Sequence, residues 1–164
     1  MDMYQNEKNW LENLADAIPG LKGYREKEAR RDTDKRFREY LASRIEGARK
    51  SIEDVKRNLV NEGKLDSLDE LDRLSQKLLK TASLVRYASY GYSGFFDQIK
   101  IQDAELEKIY QYDLSMISDV EALESSFKEN VTRTLQEAQK EWNDLINTLE
   151  RRIDERKHLF AVTG

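Results

Sequence analysis

A single histidine and the absence of cysteine set the chemistry open to this chain. Without Cys there are no disulfides, no thiolate nucleophile and no Cys-ligated metal. Glu155-Arg156-Lys157-His158 spells Glu-x-x-His once. A carboxylate-bridged di-metal site in a helical bundle needs that motif on two helices and a further Glu on each of two others. One His cannot complete the set within one chain. His158 therefore reads as a solvated residue near a helix C-terminus, where a cation is favoured, and no metal or cofactor is expected.

Hydrolysis by a Ser-His-Asp triad would draw on the same His beside a nucleophile on a strained turn. Gly91-Tyr92-Ser93-Gly94 offers only a fragment of the required Gly-x-Ser-x-Gly, with no strand before it. Gly20-Leu21-Lys22-Gly23 lacks the spacing of a phosphate-binding loop. Pairs of carboxylates abound, but 37% of the chain is charged, so no particular pair points to acid–base work. These residues predict a non-enzymatic protein, and they identify no small-molecule substrate.

Two stretches could instead hold a partner. Arg25, Lys27, Arg30, Arg31, Lys35, Arg36 and Arg38 crowd into 14 residues. A basic helix of this kind can meet nucleic-acid phosphates or an anionic bilayer. Glu26, Glu28, Asp32, Asp34 and Glu39 interleave with it. Acids and bases three or four apart on a helix pair with each other, so the alternative is a solvated, salt-bridged surface. The second stretch holds Tyr87, Tyr90, Tyr92, Phe95 and Phe96 with Gly91 and Gly94 in ten residues. Tyrosine brings large contact area and a polar tip, which suits interfaces. It also suits a hydrophobic cap closing one end of a bundle, with an Arg such as Arg86 stacked on it.

The elements that must carry these stretches are helices. Phe37, Leu41, Ile45, Ala48, Ile52, Val55 and Leu59 step by fours and threes, a sustained stripe close to a coiled-coil seam. Leu68, Leu71, Leu74, Leu78, Ala82 and Val85 form a second stripe after a link of only a few residues, which forces an antiparallel hairpin over 25–91. Gly63 suits the left-handed stop of the first hairpin helix. Ser67-x-x-Glu70 suits a capping box at the start of the second. Asp32-Thr33-Asp34 is a possible N-cap for the first, and Gly47 inside it suggests a close helix approach or a mild kink.

Ahead of the hairpin, Trp10, Leu11, Leu14 and Ile18 predict a short helix over 3–18, stopped by Pro19-Gly20. After it, Leu106, Ile109, Met116, Val120, Leu123, Phe127, Val131, Leu135, Ala138, Trp142, Leu145, Leu149 and Ile153 extend one stripe through 102–158. An unbroken helix of that length would run about 84 Å and outreach every neighbour, so a break is expected at Ser125-Ser126, where Ser126-x-x-Glu129 would cap the restart, as Ser118-x-x-Glu121 could earlier in the segment. Without the break the protruding stripe becomes an oligomer interface.

The chain thus reads as one all-α domain over 1–164: an antiparallel bundle of three to five helices with long, coiled-coil-like segments. A single Pro fits long helices, and high charge fits rods that present most positions to water. Residues 22–57 hold 13 Lys/Arg against 8 Asp/Glu, whereas 58–164 hold 14 against 20. No segment has the ~18–20 consecutive apolar residues of a membrane span, and the polar, acidic opening residues are not a signal peptide. The expected role is a cytoplasmic interaction or scaffold module acting through protein–protein contacts and self-association. The alternative is a peripheral binder of anionic surfaces, membrane or nucleic acid, through helix 25–38.

Overall fold

Phe37, Leu41, Ile45, Ala48, Ile52 and Leu59 all turn inward, as their helical spacing requires. The computed structural model describes residues 30–87, 103–128 and 134–162, with side chains at 35–87, 111–128 and 134–156. Four helices account for them: α1 (Arg30–Asn61), α2 (Leu68–Arg86), α3 (Asp103–Lys128) and α4 (Leu135–Val162). There is no strand among the described residues, and no described helix is long and apolar enough to cross a membrane. The segment 3–18 lies outside the described residues.

Each helix packs on two others. α1 lies against α2 and α3, and α4 completes the ring against the same two. One core runs through all four, with Leu71, Leu74 and Leu78 of α2, Met116 and Val120 of α3, and Ile146 and Leu149 of α4 among its members. Polar contacts record the order of packing. Along α1 and α2, Arg86 meets Glu46 at 2.5 Å, Ser75 meets Glu53 at 2.7 Å, and Lys56 meets Asp72 at 2.8 Å. Partner numbers on α2 therefore fall as those on α1 rise. The same reversal joins α3 to α4, through Asp113 with Arg156, Asp119 with Arg152, and Ser126 with Trp142.

The turn between α1 and α2 is set by Gly63, whose φ of +73° is open to a residue without Cβ. Its N–H donates to the Val60 carbonyl at 3.0 Å and that of Lys64 to Leu59 at 2.8 Å, the paired bonds of a Schellman stop. The capping box expected at Ser67 does not form. Ser67 makes no side-chain cap bond, and Glu70 pairs forward with Arg73. Nor does a helix begin at Asp32-Thr33-Asp34, because α1 is already wound at Arg30. Gly47 marks no close approach: it is exposed, and a Cβ there would meet nothing within 4 Å.

The long C-terminal stripe is divided, but not at Ser125-Ser126. Those residues lie inside α3, and Ser126 is buried. The new helix starts after Thr134, where a reciprocal box forms. The Glu137 N–H donates to Thr134 Oγ1 at 3.2 Å, and the Thr134 N–H donates to Glu137 Oε2 at 3.3 Å. Met116, Val120, Leu123, Ala138, Trp142, Leu149 and Ile153 are all buried. These members of the stripe are covered within one chain, whereas Phe127, Leu135 and Leu145 are half-buried.

Candidate interaction site

Arg38 leaves the basic stretch to serve the fold. Its Nη1 donates to the Arg86 carbonyl at 3.0 Å, at the C-terminal end of α2. That carbonyl belongs to the last turn, where helix acceptors lack intrahelical partners and a cation is favoured. Arg86 in turn meets Glu46 at 2.5 Å. The guanidinium–carboxylate contact holds the Glu46 carboxyl below the usual range and the Arg86 guanidinium above its own. These bonds bring two stretches that are some fifty positions apart in sequence to one end of the bundle. Lys35 and Arg36 are exposed there, and Tyr87 is 73% exposed just past α2.

Among the other candidate residues, Arg30 and Arg31 stand in the first turn of α1, but their side chains lie outside the described residues. Tyr90, Tyr92, Phe95 and Phe96 lie outside them altogether, so a closing aromatic cap is not described. His158 belongs to α4, with its side chain likewise undescribed. Among the described residues, no three or more of His, Cys, Asp or Glu gather to hold a metal ion.

Three polar joints inside the bundle escape a reading by apolar stripes. Arg156 and Asp113 meet at 2.6 and 3.3 Å with 3% and 0% side-chain exposure, and the guanidinium lies 5.3 Å from the centre of the Phe37 ring. Trp142 donates its indole N–H to Ser126 Oγ at 3.0 Å while tilting against Phe127. Arg44 holds Glu124 with two bonds of 2.8 and 2.5 Å and bonds the Tyr40 hydroxyl at 2.7 Å. The Glu124 contact raises the Arg44 pKa against the opposing pull of burial.

A fourth joint is less well made. Asp119 and Arg152 lie 2.6 Å apart, but Arg152 Nε and Asp119 Oδ2 are buried without an aligned hydrogen bond. Desolvation raises the Asp119 carboxyl pKa, and the nearby Arg152 charge only partly offsets it. Gln139 Nε2 is also buried without a hydrogen-bond partner. Tyr112 hydrogen-bonds Glu155, and burial followed by that bond pushes its phenol up to about 12.

A signal for the buried pair was present in the sequence. Asp113 falls in phase with Ile109 and Met116, and Arg156 with Leu149 and Ile153, so each charge stands at an apolar position of its stripe. A depression of about 360 Å³ runs along Glu137, Lys140, Glu141, Asp144, Leu145 and Thr148. All six share one face of α4 and it lies open to water, a shallow strip rather than an enclosing pocket. Compared with known proteins, the chain matches no family model, no curated protein and no solved structure.

Proposed function

We propose that this chain is a non-enzymatic helical interaction module, an antiparallel four-helix bundle with coiled-coil-like seams that works through protein–protein contacts and self-association. The opposed numbering of the α1–α2 and α3–α4 contacts supports the antiparallel arrangement. The observation that carries the functional reading is where the buried polar groups go. Asp113 and Arg156 tie α3 to α4, Ser126 and Trp142 tie the same helices a few turns away, and Ser75 ties α2 to Glu53 of α1. Each joins helix to helix, which leaves the outer surface as the part available to a partner. The cytoplasm is the compartment expected for such a module.

The test is the solution mass from light scattering coupled to size exclusion, over a range of protein concentrations. The reading expects a mass that climbs from 19.3 kDa toward a multiple of it. A mass fixed at the monomer value throughout overturns self-association.

A second reading has one observation in its favour. Exposed Lys35 and Arg36 share an end of the bundle with exposed Tyr87, and cations beside an amphipathic aromatic suit an anionic surface. It expects binding to vesicles of acidic lipid that weakens steeply with salt. Binding that ignores salt, or none, removes it.

A further inference from the structure

The outward face of α2 has a pattern that its own fold does not use. Leu71, Leu74, Leu78, Ala82 and Val85 turn inward. On the opposite side Asp69, Asp72, Gln76, Lys80, Leu84 and Tyr87 are all exposed, at spacings of three and four that hold them on one face. Acids lead this face, and Lys80 follows. The helix dipole accounts for that order of charges, because anions suit the N-terminal turn and cations the later ones. It does not account for Leu84 and Tyr87, 40% and 73% exposed on the same face, nor for Leu65, 60% exposed just before the helix. Singly exposed apolar residues are ordinary. Here they stand at the two ends of a face whose charges are opposite in sign across its middle.

We infer that two copies of this chain pair through the outer face of α2, antiparallel about a two-fold axis at Gln76. This rests on the proposed function and names its surface. A two-fold interface must be self-complementary, each residue facing its counterpart across the axis. With Gln76 on the axis, Asp72 faces the partner's Lys80 and Lys80 faces the partner's Asp72. In the same register Tyr87, with Leu84 one turn before it, faces the partner's Leu65. Opposite charges meet twice at the centre, and apolar side chains meet at both ends. Asp72 also contacts Lys56 within its own chain, at 2.8 Å, and its second carboxylate oxygen remains to accept from the partner.

Size sets the strength. Nineteen residues of helix span about 28 Å. One helix face of that length covers less than the roughly 800 Å² per partner of a standard stable interface. The dimer is therefore weak, forms only as concentration rises, and loosens as salt screens the Asp72–Lys80 pairs.

The experiment measures the mass of the full chain by light scattering across concentration, at low and high salt, for the parent, Lys80→Glu, Asp72→Lys and the double exchange D72K/K80E. Circular dichroism confirms that each variant keeps its helix. The expected result is a parent that approaches twice its monomer mass. Each single reversal sets like charges together at both pairs and weakens association by about tenfold, and the double exchange restores it to within a few-fold. A dimer indifferent to the single reversals, or one that the double exchange does not restore, overturns the α2 surface and leaves self-association standing. A monomer throughout overturns both.

Discussion

Asp113 and Arg156 are the residues on which this bundle is least forgiving. Each ion gives up several kcal/mol of hydration on entering the interior. The hydrogen bonds between them and the face of Phe37 return part of that. The partners are therefore worth more to each other than the pair is to the fold. Arg156→Met takes from the buried Asp113 carboxylate the guanidinium that meets it at 2.6 and 3.3 Å, and it is expected to cost about 3–5 kcal/mol. The double replacement Asp113→Leu with Arg156→Met exchanges the pair for apolar volume and is expected to be near neutral. Urea midpoints for the two singles and the double check this. A single that costs under ~1 kcal/mol would mean that water reaches the pair. Each charge alone reads as a lapse in an apolar stripe. The two lapses become one interaction only when α3 and α4 lie side by side, and periodicity along a chain says nothing of which stripes will face each other.

Helices were the most legible level, and their ends the least. The stripes of α1 and α2 placed Phe37 through Leu59 and Leu71 through Val85 in the core, because threes and fours in one direction leave a helix no other way to bury them. The division of the C-terminal stripe was legible as a need but not as a place. Ser67, Ser118, Ser126 and Thr134 are all followed three residues later by Glu. In so charged a chain the capping spacing recurs by composition. Ser67 stands at the start of α2 but makes no cap bond, Thr134 makes one at the start of α4, and Ser126 lies within α3, where its hydroxyl accepts from Trp142. The glycines separate in the same way. Gly47 faces open space inside α1, so Gly47→Ala is expected to stabilise by about 0.5–1 kcal/mol, since alanine loses less backbone entropy in a helix. Gly63 holds a positive φ, so Gly63→Ala is expected to destabilise by about 1–2 kcal/mol through the left-handed penalty of a Cβ. Thermal unfolding of both variants reads the opposite signs directly. Two shifts of the same sign would contradict the assignment of one glycine to an open face and the other to a strained turn.

Across the whole molecule, the carboxylates between and along the helices set how stability answers to pH. Glu46, Glu53 and Glu70 are held below the usual carboxylate range, chiefly by hydrogen bonds from Arg86, Ser75 and Arg73 respectively. A carboxyl with a depressed folded pKa binds protons more tightly when unfolded. Its contribution is present above the ordinary Glu value and is lost as pH falls through the folded one. Asp119 acts in the opposite sense. Desolvation between α3 and α4 raises its folded pKa, so protonation favours the folded state, and stability rises as pH falls through that raised value. On acidification, stability is expected to fall below about pH 4.5, where the glutamates are drawn out of their hydrogen bonds, and protonation of Asp119 offsets part of that fall. Asp119→Asn removes the offset and steepens the fall, whereas Glu53→Gln makes it shallower. Urea midpoints measured at intervals between pH 7 and pH 3 for the parent and both variants decide it. A fall no steeper in Asp119→Asn than in the parent would mean that the Arg152 charge, rather than burial, governs Asp119, and that α3 and α4 admit water where they meet.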